Sequence, residues 1–183
     1  MKAIADFLFE AGMLKKIPRS GYHFLGLGGE SVAEHSFIIT MIAFVMAKLV
    51  PEADSQKIVF MCLVHDLPEA RIGDINYLQK KYVIPDEDKA VEHMCRNLPF
   101  GDSIKDLICE FNTAETLESM LARDADQIAF LLDLKSIRDV SGDTPEKWIK
   151  IIIERLQTDT GRKIAEAVLS GSWDDWWLKN YSE

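Results

Sequence analysis

The segment IVFMCLVHDLPEARIGD, residues 58–74, decides how the chain is read. Seven apolar residues, Ile58 to Val64, run directly into His65 and Asp66. A run this apolar belongs in a core, and an ionised carboxylate at its inner end is costly to bury unless it is paired or binds a metal. IVFMCLV alone also fits a buried strand, but no alternating partner strand occurs in the chain. As part of a helix, ADSQKIVFMCLVHDL, it places Glu69 four residues after His65 and three after Asp66, separations that share a helical face. Pro68 removes a backbone donor, so a bend is expected after Val64 or His65. The plain alternative is a helix-terminal His with a capping Asp.

Outward from this segment the pattern is helical nearly throughout. Upstream, ADFLFEAGML has apolar residues at helical spacing, and KIPRSGYHFLGLGGE, with four glycines and Pro18, reads as a loop. SVAEHSFIITMIAFVMAKLV opens with Ser31-x-x-Glu34, a capping box. Its apolar residues surround most of its circumference, which predicts a central, buried helix. Downstream, DEDKAVEHMCRNL, DSIKDLICEFNTA and ETLESMLARDADQIAFLLDLKSIRDV read as helices. TPEKWIKIIIERLQ begins with Thr144 as cap and Pro145 at the first helical position. DTGRKIAEAVLSG follows, and the tail SWDDWWLKNYSE carries Trp173, Trp176 and Trp177, expected to pack the last segment onto the domain. The reading is one all-α domain over residues 1–183.

Bulk properties limit the functions. At 183 residues with 48% hydrophobic content the chain can bury one substantial core. Thirty acids against 21 Lys and Arg give a formal charge of −9, which argues against a surface for duplex nucleic acid. A small phosphorylated substrate remains compatible, since a metal ion and one or two cations bind phosphate locally. Cys62, Cys95 and Cys109 form no CxxC pair and suit a reducing cytoplasm. Asp6 and Glu10 interrupt the first apolar stretch, so no signal peptide is expected. The longest apolar segment, Phe37 to Ala47, is shorter than the roughly 20 residues that span a bilayer.

A metal at His65 and Asp66 needs further ligands. His35 lies in the first turn of its helix, where a protonated imidazole would oppose the helix dipole and a neutral, metal-bound one would not. Asp124 and Asp126 both interrupt the apolar pattern of LARDADQIAFLLD. Leu117, Leu121, Ala125, Ile128 and Leu132 form the expected core stripe, and Asp124 lies beside it. Periodicity alone does not choose between the two acids and slightly favours Asp124.

The series His35, His65-Asp66, Asp126 resembles the metal signature of the HD-domain phosphohydrolases. PRSGY, ESVAEHS, VHDLPEARIGD and DADQI, in this order, look like the branch that contains the 5′-deoxynucleotidases. The resemblance covers roughly residues 5 to 140 and implies an all-α, single-domain helical bundle. It implies that His35, His65, Asp66 and Asp126 hold a divalent metal, with Asp126 preferred because Ala125-Asp126 matches the family's "AD" element. Cobalt or manganese is favoured, and magnesium or zinc is also compatible with two His and two carboxylates. Glu69 matches the acid that acts on the attacking water or the leaving group. Arg19 matches a phosphate-contacting arginine, and Asp74 an acid that hydrogen-bonds the sugar. Tyr22 stands where relatives often carry Trp, against the substrate. The implied protein is a cytoplasmic, homodimeric hydrolase of (deoxy)nucleoside 5′-monophosphates that binds a small nucleotide and neither duplex nor membrane. The competing readings are a phosphohydrolase of nucleoside triphosphates or cyclic nucleotides, and a nucleotide- or metal-binding module without turnover.

Overall fold

A computed structural model describes residues 1–26, 28–141, 146–179 and 181. Local sequence sets the helix ends. After α1 (Lys2–Ala11) comes a 3-10 turn, Gly12–Lys16, and then a loop holding the short α2 (Tyr22–Leu25). α3 (Val32–Leu49) starts at the expected capping box: Ser31 Oγ accepts from Glu34 N–H, and the Glu34 carboxylate accepts from Ser31 N–H at 2.6 Å. α4 (Ser55–Val64) is capped by Asp54, whose carboxylate accepts from the N–H groups of Gln56 and Lys57. It ends at Val64, and the chain resumes helix in α5 (Glu69–Ile72), as the bend before Pro68 anticipates.

A 3-10 turn at Gln79–Lys81 precedes α6 (Glu87–Cys95), α7 (Gly101–Thr113) and the long α8 (Leu117–Ser141). Then come α9 (Glu146–Arg155), α10 (Asp159–Ser170) and α11 (Asp175–Leu178). The expected cap Thr144 and first-turn Pro145 lie outside the described residues. There is no strand among the described residues; a single antiparallel bridge joins Pro18 to Ser31.

α3, α4 and α8 pack mutually, with α10 closing over α8. Ile39, Met46, Ile58, Met61, Leu121, Ile128, Leu131 and Leu134 fill the centre and are completely or almost completely buried. Each such side chain contributes roughly 1.5–3 kcal/mol of burial. A smaller cluster of Leu14, Val32, Leu67, Val91, Met94 and Ile104 joins the N-terminal segment to α6 and α7.

Three expectations need correction. α3 is not buried all round: Ile39, Ala43 and Met46 face the core, whereas Phe37 is 64% exposed and Met41, Phe44 and Leu49 are also exposed. As an 18-residue helix, α3 is long and apolar enough to cross a membrane, though in the fold it packs on α4 and α8 with 44% of it buried. On α8 the ends of the expected stripe, Leu117 and Leu132, are exposed, while Leu121, Ala125 and Ile128 are buried. The tail is tied down only in part. Trp173 N–H donates to Asp139 at 3.1 Å, yet all three indoles keep substantial exposure.

Candidate metal centre and phosphate site

Three parts of the fold deliver four side chains. The first turn of α3 supplies His35, the segment leaving α4 supplies His65 and Asp66, and the middle of α8 supplies Asp126. His35, His65 and Asp126 each offer a ligand atom, all within 4.8 Å of one another. Asp66 adjoins them, its Oδ1 lying 3.1 Å from His65 Nε2. His65 Nδ1–H donates to the Cys62 carbonyl at 3.0 Å, which turns Nε2 toward the centre. His35 Nε2 lies 2.9 Å from Asp126 Oδ1.

Arg19 arrives from the loop. Its backbone N–H donates to Glu30 O at 2.9 Å, and Val32 N–H donates to Ile17 O at 2.9 Å. These bonds clip the two ends of the loop together. The guanidinium lies 3.7 Å from Asp66, 3.7 Å from Asp74 and 3.9 Å from Glu30. Those are ion-pair distances rather than hydrogen bonds, so its donors stay available to an anion. Asp74 follows Gly73, whose φ of 74° is easy only for glycine. The turn brings Asp74 Oδ2 to 2.8 Å from Ser20 N–H, so one of its oxygens anchors the arginine loop.

The charges respond to this crowding. Burial opposes the charge on Arg19, but Asp66, Asp126, Asp74 and Glu69 outweigh it and hold the guanidinium firmly protonated. Burial raises Glu69 and the neighbouring Asp66 and Asp74 carboxylates add to this, against Arg19 and His35, pushing it up to about 9. Burial lowers His35, but its contacts with Asp126 and Glu30 prevail and push it up to about 9. Burial penalises the Asp126 charge, and His35 with Arg19 overcomes that and holds it well below the ordinary range.

The donor set fits a divalent cation. Five carboxylates, Glu30, Asp66, Glu69, Asp74 and Asp126, surround one arginine and two histidines. Asp66 Oδ2 and Glu69 Oε2 are buried with no hydrogen-bond partner among the described residues. An excess of buried negative charge is tolerable when a metal neutralises it.

Asp124 has a different post. It is wholly buried, and its carboxylate accepts from Gln157 N–H, Thr158 N–H and Thr158 Oγ–H at 2.7–2.8 Å. It therefore holds the start of α10, far from a ligand's duty. Tyr22 is buried too, its hydroxyl donating to Asp133 and its ring meeting Phe130 edge-on. Two participants escaped the sequence reading. Glu30 lies beside His35 and Arg19, and Asp133 holds Tyr22; a loop acid and a helix acid carry no local signal of such contacts.

Comparison with known proteins agrees with this geometry. Residues 11–168 match the model of the HD domain family. A Dictyostelium discoideum protein named 5′-deoxynucleotidase HDDC2 is 31% identical, the match covering 72% of this chain and 76% of that one. The Homo sapiens protein of the same name is 25% identical, over 76% of this chain and 70% of its own. A conserved hypothetical protein from Pyrococcus furiosus superposes with a TM-score of 0.76 at 29% identity, covering 91% of this chain and 99% of its own. The chain belongs to the HD domain family, and it is a hydrolase of the HD-domain phosphohydrolase class.

Proposed function

We propose that the chain is a metal-dependent phosphomonoesterase acting on deoxynucleoside 5′-monophosphates. The observation that carries this reading is the convergence of His35, His65 and Asp126 within 4.8 Å, beside Asp66 and an arginine whose donors face the same space. The substrate class rests on the relatives named 5′-deoxynucleotidase. The charge balance favours a monophosphate, because one arginine among five carboxylates would repel a longer phosphate chain.

His35, His65, Asp66 and Asp126 would hold the ion, with cobalt or manganese favoured over magnesium or zinc. When bound, the dication polarises phosphoryl oxygens and acidifies a coordinated water. Arg19 binds the phosphate and offsets charge in the transition state. Glu69, three residues past Asp66, relays the proton between attacking water and leaving 5′ oxygen. Asp74 spends one oxygen on Ser20 N–H and offers the other to the sugar, where a 2′-hydroxyl would crowd it. Tyr22, its hydroxyl engaged by Asp133, supports the Arg19 loop.

We further propose that the protein acts in the cytoplasm, with all three cysteines free, and works as a homodimer. Phe37, Met41 and Phe44 of α3 and Phe60 and Leu63 of α4 form an exposed apolar face. It borders a groove of about 650 Å³ lined by Phe7, Val64, Phe100 and Leu107. Ridge and groove on one face suit a two-fold pairing of identical copies. From His35 to Leu49 and from Ser55 to Val64 there is no acid, so two chains of charge −9 meet with least repulsion there.

The test is phosphate release by metal-stripped protein, with cobalt, manganese, magnesium or zinc restored singly. Deoxynucleoside 5′-monophosphates should react much faster than ribonucleotides or 3′-phosphates. Glu69→Gln should lose about 10²–10⁴-fold in turnover while binding metal normally. Release from triphosphates or cyclic nucleotides alone would replace the substrate class, and metal binding without any release would leave a binding module.

A further inference from the structure

Both metal-facing histidines have a second ring nitrogen to satisfy. For His65 the partner is the Cys62 carbonyl, 3.0 Å from Nδ1. For His35 the atom near Nδ1 is Glu30 Oε1, at 3.0 Å. Both atoms are buried, and neither has a formal hydrogen-bond partner among the described residues. The contact between them is therefore at bonding distance but out of line, and a small rotation makes it a hydrogen bond. Glu30 opens the ESVAEHS segment, but nothing in that pattern gives it a role, and its place on a Gly-rich loop suggests a solvated acid. The fold places it otherwise: its side chain is only 13% exposed.

We propose that Glu30 is a positioning residue that fixes the tautomer and direction of His35 and couples this ligand to the phosphate-binding Arg19. A carboxylate at Nδ1 keeps the proton on that nitrogen, so the Nε2 lone pair faces His65 and Asp126. Without it, the ring can carry its single proton on Nε2, where it blocks coordination. Such partners orient a ligating imidazole and increase its basicity. Glu30 also reaches the other half of the site. Its backbone carbonyl accepts from Arg19 N–H at 2.9 Å, and its Oε1 stands 3.9 Å from Arg19 Nε. Ser31, the next residue, caps α3, so Glu30 is pinned immediately before the helix that carries His35. One loop residue thereby holds the imidazole and the guanidinium in a fixed relation.

This inference rests on the metal-centre reading, and the experiment separates the two. Zinc affinity is measured by competition titration on the full chain, for wild type, Glu30→Gln and Glu30→Ala. The His35 tautomer is read from ¹⁵N shifts of the zinc-loaded proteins. Wild type should bind zinc with the proton on His35 Nδ1. Glu30→Ala should bind about 10–100-fold more weakly. Glu30→Gln, which keeps an acceptor oxygen, should recover much of that loss and keep the Nδ1–H tautomer. Should the alanine variant fail to fold, the Gln variant must still bind more weakly than wild type. Equal affinity in wild type and both variants overturns the role of Glu30 alone. The same holds if both variants lose affinity equally with His35 unchanged, which marks a merely structural residue. Failure of wild type to bind any dication overturns the metal centre itself.

Discussion

Asp124 and Asp126 stand two residues apart on α8 and turn to opposite tasks. Periodicity leaned toward Asp124 as the ligand because it follows the buried stripe. It is indeed buried, but it spends its lone pairs on the N-terminus of α10. Asp126 reaches His35 and the metal-facing cluster. Asp126→Ala should therefore weaken metal binding by more than about 100-fold with a small effect on metal-free stability. Asp124→Ala should leave metal affinity within about threefold and destabilise by roughly 2–4 kcal/mol, because three donors lose their acceptor. Titration calorimetry and denaturant unfolding of the two variants check this pair, and a reversed pattern would exchange their roles. Asp126 was legible only through the family pattern. Glu30 was not legible at all, because its partners lie across a loop closure that no local rule encodes.

Helix ends were the most readable feature of the elements. The Ser31–Glu34 box and the break before Pro68 depend on residues within one turn of each other. Helix approach was less readable. A Cβ on Gly161 would lie 2.3 Å from Asp124 Oδ2, so α10 reaches its anchor only because residue 161 has no side chain. Gly161→Ala gains up to about 1 kcal/mol of helix propensity. The overlap costs more, about 1–3 kcal/mol for a forced shift of the buried carboxylate. A net loss of stability is expected in urea, and a net gain would mean that α10 shifts away freely.

For the molecule as a whole, surface and charge set two expectations. At roughly half exposure, five large side chains of α3 and α4 present several hundred Å² of apolar surface, a size at which such patches often mark an interaction site. Sedimentation equilibrium should find a dimer, and Phe37→Asp combined with Phe60→Asp should give monomers that still bind metal. A monomeric wild type, or a dimer that survives both substitutions, refutes this face. The second expectation concerns the tail. Burial penalises the Asp139 charge, but Lys135 and the Trp173 N–H outweigh it and hold the carboxyl below its ordinary value. A depressed folded pKa gives stability that is complete above the unfolded value, about 3.9, and is lost as pH falls through the folded one. Between pH 6 and pH 3 the unfolding midpoint should fall more steeply for wild type than for Asp139→Asn, and parallel curves would deny the anchor a role.

The sequence by itself determined the helical class and the main helix ends, and its family pattern, joined to side-chain chemistry, named the residues proposed to hold the metal. Those properties follow from periodicity, capping and side-chain type, all of which act over a few residues. Only the tertiary structure decided which aspartate of α8 faces the centre, that Glu30 backs His35, and that half of α3 stays uncovered. Each depends on which face of a helix meets a neighbour distant in the chain. An acid two residues from another can face an opposite partner, and the sequence does not say which partner arrives.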